Sequence, residues 1–182
     1  MFAPLMWFER RLRRFARARR GTTAIEFGLI AVPFFMLTFG LAEVAMIGFA
    51  QTSLDFSATE TARQIRTGQA QMNGVTEGEI EARLCQEMSN FMLVTCAGNL
   101  YIDVQRFDSF VDAGAVANPV QGGNFDPSGC GYNPGMPSDI VVVRAFYRWQ
   151  VITPMFEAIF ANVGGGQRVL VSSMMFRNEP YQ

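Results

Sequence analysis

From Ala24 to Ala50 the chain carries only two charges, Glu26 and Glu43, and residues 27–42 between them (F-G-L-I-A-V-P-F-F-M-L-T-F-G-L-A) carry none. At ~1.5 Å per residue, about 20 helical residues cross the apolar core of a bilayer, so this stretch is long enough to span one. A buried helix in a soluble core would satisfy the same count, but the flanks argue for the membrane. Arg10, Arg11, Arg13, Arg14, Arg17, Arg19 and Arg20 precede the apolar run. Within a similar distance after it come only Arg63 and Arg66, among Asp55 and Glu60. That bias holds the N-terminus in the cytoplasm and places the chain beyond residue 50 outside it.

A cleaved secretory signal would have a short apolar core followed by small residues at its cut site. Here the apolar run is too long, and Glu26 stands where the core should begin. Pro33 lies inside the run, where it removes one helical hydrogen bond and favours a kink. A carboxylate at the rim of a membrane helix is costly to bury, which points to a task for Glu26.

The order Arg run, Gly21, four small or apolar residues, Glu26, apolar helix resembles the prepilin-peptidase site of the Tad/Flp branch of type IV pilins. R-R-G-T-T-A-I-E-F-G-L (Arg19 to Leu29) carries that resemblance. It implies a cut after Gly21 on the cytoplasmic side, Thr22 as the first mature residue, and retention of the helix. Glu26 then matches the glutamate at the fifth mature position and Phe27 the aromatic after it. Cleavage would leave an α-amino group on Thr22, and Glu26 of a neighbouring subunit could neutralise it in a stacked helical bundle. An uncleaved Glu26 reaching to the interface is the plainer alternative.

Pro33 and the Gly40-x-x-Glu43 pattern are similar to the TadE-like family, as are V-V-V-R-A-F-Y-R-W (141–149), I-T-P (152–154) and F-R-N-E-P-Y (176–181), in the manner of alphaproteobacterial members. Major Flp pilins are little more than a helix, so the sizeable remainder favours a minor component. The resemblance implies a basic cytoplasmic leader (1–21), a transmembrane helix (22–50) and a periplasmic pilin-like domain (51–182) on the inner membrane. Its implied partners are the membrane, a prepilin peptidase, and other Tad pilins and assembly proteins.

Composition sets limits of its own. All fifteen basic residues are Arg, and seven fall in the first 21 positions. Without those positions 8 basic and 15 acidic residues remain, a net charge of −7. Such a remainder lacks the concentrated positive surface that nucleic acid requires. There is no His, which removes the commonest general base and metal ligand. Ser172–Ser173 and Ser138–Asp139 lack a base, and no G-x-S-x-G occurs. Gly164–Gly166 reads as a turn because it lacks the phosphate-loop pattern. Glu77, Glu79 and Glu81 read as a helix start that favours negative charge. No enzyme, cofactor or metal is implied.

Ile47, Leu54, Ala58, Ala62 and Ile65 recur at helical spacing, so the first helix is expected to continue to about residue 67, with Gly68 as its stop. Two helices broken near Gly48 to Ser53 is the alternative. Thr76 and Glu79 form a capping-box pattern that predicts a second helix at about 77–93, with Ile80, Leu84, Met88 and Phe91 or Met92 as its stripe. Residues 99–107, 139–151 and 167–177 read as strands, and 153–161 as a short helix. Residues 113–138, rich in Gly, Pro, Asn and Ser, read as a long loop available for contacts. The expected fold class is α+β: a transmembrane helix extended into a domain with a second helix and a small antiparallel sheet.

Three Cys remain: Cys85, Cys96 and Cys130. The 11-residue separation of Cys85 and Cys96 lets the chain turn back, and their pairing is favoured among the three possible. It would contribute ~2–3 kcal/mol in the loop-entropy model and leave Cys130 free or joined to a partner. Three functions stay open: a processed minor pilin, an uncleaved single-pass assembly factor of the Tad apparatus, and a membrane-anchored binding module using the 113–138 loop.

Overall fold

The computed structural model describes residues 22–91 and 95–181, and of Asn90 and Phe91 only the backbone. Residues 1–21, Met92 and the rest of the 92–94 segment lie outside the described residues.

Helix α1 runs unbroken from Thr22–Arg66, so the break near Gly48 to Ser53 does not occur. Arg63 and Arg66 in its last turn complement the helix dipole. The chain then turns through Gly68 at φ 78°, a left-handed conformation that disfavours any residue with a Cβ. A short helix α2 (Gln69–Met72) follows, then α3 (Glu77–Phe91). At the start of α3 the Thr76 N–H and hydroxyl both donate to the Glu79 carboxylate, at 2.8 and 3.0 Å. Those two donors hold the Glu79 carboxyl below its ordinary range.

Strand β1 (Leu100–Phe107), a short helix α4 (Phe110–Gly114), a hairpin of β2 (Val120–Gln121) and β3 (Asn124–Phe125), β4 (Ile140–Gln150), α5 (Glu157–Phe160) and β5 (Gln167–Arg177) complete the order. β1, β4 and β5 form one antiparallel sheet with β4 in the centre. The chain is therefore α+β, with a long N-terminal apolar helix, further helices and a small antiparallel sheet.

The chain divides into two compact units, Met1–Leu41 and Ala42–Gln182. In the second unit, one face of the sheet packs on α3 and on the part of α1 from Ala50 to Ile65, through Leu54, Leu84, Val104, Val143 and Leu170. The α1 stripe is lined by small residues. Ser53, Ser57 and Thr61 are as buried as Ala58 and Ala62. Their hydroxyls cost little to bury because each donates to a carbonyl: Ser57 to Ser53 O at 2.9 Å, Thr61 to Ser57 O at 3.0 Å, Ser53 to Met88 O at 3.5 Å.

The other face of the sheet is covered too, by short elements within the 113–138 loop, most of whose side chains stay exposed. Gly122 and Gly123, at φ 57° and 76°, make the tight turn of the β2–β3 hairpin. That turn brings Val120 and Phe125 onto Phe146 of β4, with the Phe125 and Phe146 rings 5.6 Å apart. Two-residue strands carry too little periodicity to be read from sequence.

Candidate functional site

In the first unit, Thr22 opens the described part of α1, and Glu26 and Phe27 follow within its first two turns. Positions 22 and 26 are four apart and share a helix face. Gly21, the other half of the expected processing site, lies outside the described residues. Glu26 is exposed, and Phe27 is 70% exposed. From there to Leu41 nearly every large apolar side chain is open: Leu29, Ile30, Val32, Phe34, Leu37 and Phe39 all show more than half their surface. A soluble core helix would bury this stripe; this one does not. At ~1.5 Å per residue, residues 22–41 extend about 30 Å, the thickness of a bilayer's apolar core. One N-terminal apolar helix of this kind fits a single-pass membrane protein.

In the second unit, Glu43 has the opposite environment. It is fully buried. Its carboxylate accepts from Trp149 Nε1 at 3.3 Å, from the Ile152 N–H at 3.1 and 3.2 Å, and from the Thr153 N–H and hydroxyl at 3.1 Å each. Each of these donors is neutral, and together they tie α1 to the turn that follows β4. A buried carboxylate needs several good donors to be tolerated, and this one has them. The Gly-x-x-Glu and the Trp149 to Thr153 segments, distant in sequence, thus meet in one contact.

A second buried charge lies across the sheet. Asp103, fully buried on β1, opposes Arg144 on β4 in the sheet register. Arg144 Nε and Nη2 donate to Asp103 Oδ2 at 2.8 and 2.5 Å, and Nη1 donates to Ala117 O at 2.5 Å. Asp103 Oδ1 accepts from Gln105 Nε2 at 2.8 Å and from the Gly131 N–H at 3.0 Å. The pair therefore pins residues 117 and 131 of the covering segment to the sheet. The covering segment makes Asp103 a core position.

Cys85 and Cys96 are joined by a disulfide, with Cα atoms 5.9 Å apart. It links α3 to the approach to β1. Cys130 is free and half-buried beside the Asp103–Arg144 pair. Burial, with the Asp103 charge adding to it, pushes the Cys130 thiol up to about 11, so it is a poor nucleophile at neutral pH. A cavity of about 550 Å³ with mixed lining lies over this region, bounded by Gln105, Val116, Pro119, Asp126, Cys130 and Arg144. Among the described residues no group of three or more His, Cys, Asp or Glu is placed to hold a metal ion.

Residues 21–63 match the family model described as TadE-like protein. No curated protein and no solved structure gave a match to the chain. The matched segment holds the Thr22–Glu26 turn, the exposed apolar stretch, Glu43 and most of the small-residue stripe of α1. Over that segment, about a quarter of the chain, the sequence is similar to TadE-like proteins.

Proposed function

We propose that this chain is a minor pilin or pseudopilin that takes part in assembling a Tad (Flp-type) pilus after a prepilin peptidase removes residues 1–21. The observation that carries the reading is the character of α1. Its first 20 or so residues expose apolar side chains behind a lone exposed carboxylate, and the same helix then becomes part of the core of an α+β domain. In this reading residues 22–41 stay in the inner membrane and the domain faces the periplasm. Glu26 meets the α-amino group of Thr22 on a neighbouring subunit, and Phe27 packs beside them. The Cys85–Cys96 disulfide supports an oxidising compartment. The uncleaved assembly factor remains the second reading, and it shares every feature of the domain.

Intact mass of the membrane-extracted protein separates the two. The proposal expects a wild-type mass short by residues 1–21, the full mass in Gly21→Ala, and a trimmed but assembly-defective Glu26→Ala. An untrimmed wild-type protein, in cells that trim their major pilin, would sink it and leave the permanently anchored factor.

A further inference from the structure

The turn after β4 has its polarity reversed. From Val151 to Phe160 the chain (V-I-T-P-M-F-E-A-I-F) forms a 3-10 turn, Pro154–Phe156, and then α5. Its exposed residues are Ile152, Pro154, Met155, Ala158 and Ile159, and every one is apolar. Ile152, Met155 and Ile159 show 56, 62 and 68% of their surface. The two polar residues are turned the other way. Thr153 is half-buried with its hydroxyl on Glu43. Glu157 is half-buried against Gly166, so close that a Cβ at 166 would lie 2.7 Å from the carboxyl carbon. A turn that faces water puts such groups outward and apolar ones inward.

The opposite end of the sheet differs. There Phe107 pairs with Ile140, where β4 begins, and Ala113 of α4 packs with Ile140 and Val142. Phe110 and Val111 are exposed at that end, but they lie in R-F-D-S-F-V-D (106–112), beside Arg106, Asp108 and Asp112. Along β4 the two ends are about 33 Å apart. Glu43 decides which end lies next to the membrane segment. The Ile152 and Thr153 N–H groups both donate to it, and it is two residues along the chain from Leu41, the last residue of the first unit. The chain enters the second unit at Ala42, so the reversed turn is held at that point of entry.

We propose that this turn dips into the interfacial layer of the bilayer, with Ile152, Met155 and Ile159 seated where the acyl chains meet the headgroups. The proposal rests on the reading that residues 22–41 span the membrane. A span ending at Leu41 puts Glu43 at most about 3 Å beyond it, and the headgroup layer on that side is about 6 Å thick. The residues that bond Glu43 fall at that depth. Interfacial segments insert an apolar face by about 5–10 Å, which suits side chains of this size. Turning Thr153 and Glu157 inward spares two polar groups that lipid would desolvate. The occupant is lipid because the exposed set holds no hydrogen-bonding side chain with which to specify a protein partner.

The test uses the full chain with Cys130→Ser, reconstituted in phosphatidylcholine nanodiscs. An environment-sensitive fluorophore is attached in turn to Met155→Cys, Ile159→Cys, Val111→Cys and Phe34→Cys. The quenchers are lipid nitroxides near the top and at the middle of the acyl chain, and iodide in the water. The probes at 155 and 159 are expected to lose most of their emission to the upper nitroxide and little to iodide. The probe at 111 should do the reverse. A probe at 155 that iodide quenches as readily as the one at 111 would overturn the proposal. So would a probe shielded from iodide yet untouched by lipid nitroxide, because protein would then cover the turn. The probe at 34 separates two levels of failure. If the nitroxides quench it but not the probe at 155, this inference alone is wrong. If it escapes both nitroxides, the spanning reading fails and this inference falls with it.

Discussion

The two parts of α1 obey different rules on one continuous backbone. Residues 22–41 are large, aromatic and aliphatic, and exposed; residues 42–66 bury a stripe of Ala, Ser, Thr and Leu. The carboxylates divide the same way, with Glu26 open and Glu43 held by five hydrogen bonds from three residues. The lesson is that apolar content alone does not say which part of a helix belongs to a fold. In the first part the apolar side chains stay open, and their volume is unconstrained by the domain. In the second, small volume matters more than apolarity, because it lets α3 and the sheet approach closely.

Substitutions in the folded unit should therefore cost stability where equivalent changes before residue 42 do not. The largest loss is expected for Arg144→Ala, which strands the fully buried Asp103: about 3–5 kcal/mol in chemical denaturation of the detergent-solubilised chain. Next comes the direct contrast of the two carboxylates. Glu43→Ala leaves the donors of Trp149, Ile152 and Thr153 unmet and should destabilise by about 3 kcal/mol, whereas Glu26→Ala should leave the midpoint unchanged. Equal effects from the two would erase the distinction drawn here.

Removing the disulfide as the Cys85→Ser, Cys96→Ser double variant should cost about 3 kcal/mol, again with no counterpart in the first part of α1. The smallest effect is a pH dependence at Cys130. Its folded value is raised from 9.0 to about 11, so the neutral thiol favours the fold. That contribution is complete below pH 9 and is lost as pH rises toward 11. Stability of the wild type should fall more steeply than that of Cys130→Ser across this window, and parallel curves would show that the thiol is not buried as described.

Much of the architecture was legible in the chain. The unbroken run from Thr22 to Arg66, its stop at Gly68, and strands near 100–107, 140–150 and 167–177 follow from periodicity and from residues with fixed backbone needs. Ser53, Ser57 and Thr61 were not legible as core, because a hydroxyl reads as polar until one knows that the helix's own carbonyls accept its proton. The burial of Asp103 was not legible for a related reason: whether a strand has one covered face or two depends on a hairpin of two-residue strands about 20 positions away. Glu43 stood out as a charge at the end of an apolar run, but its donors come from residues 149–153, and no local pattern connects them. Gly21, Thr22 and Glu26 were singled out through resemblance, since a peptidase site would be defined by the protein that reads it.

Glu43 also determines how the domain bears load. Ala42 opens the folded unit, and Glu43 is the first fully buried side chain of α1. There tension passes sideways into the main chain at Ile152 and Thr153, and so toward β4, the central strand. Within the folded unit, α1 from Ala42 onward is therefore tied sideways to the turn after β4, and a load on it is shared with the central strand.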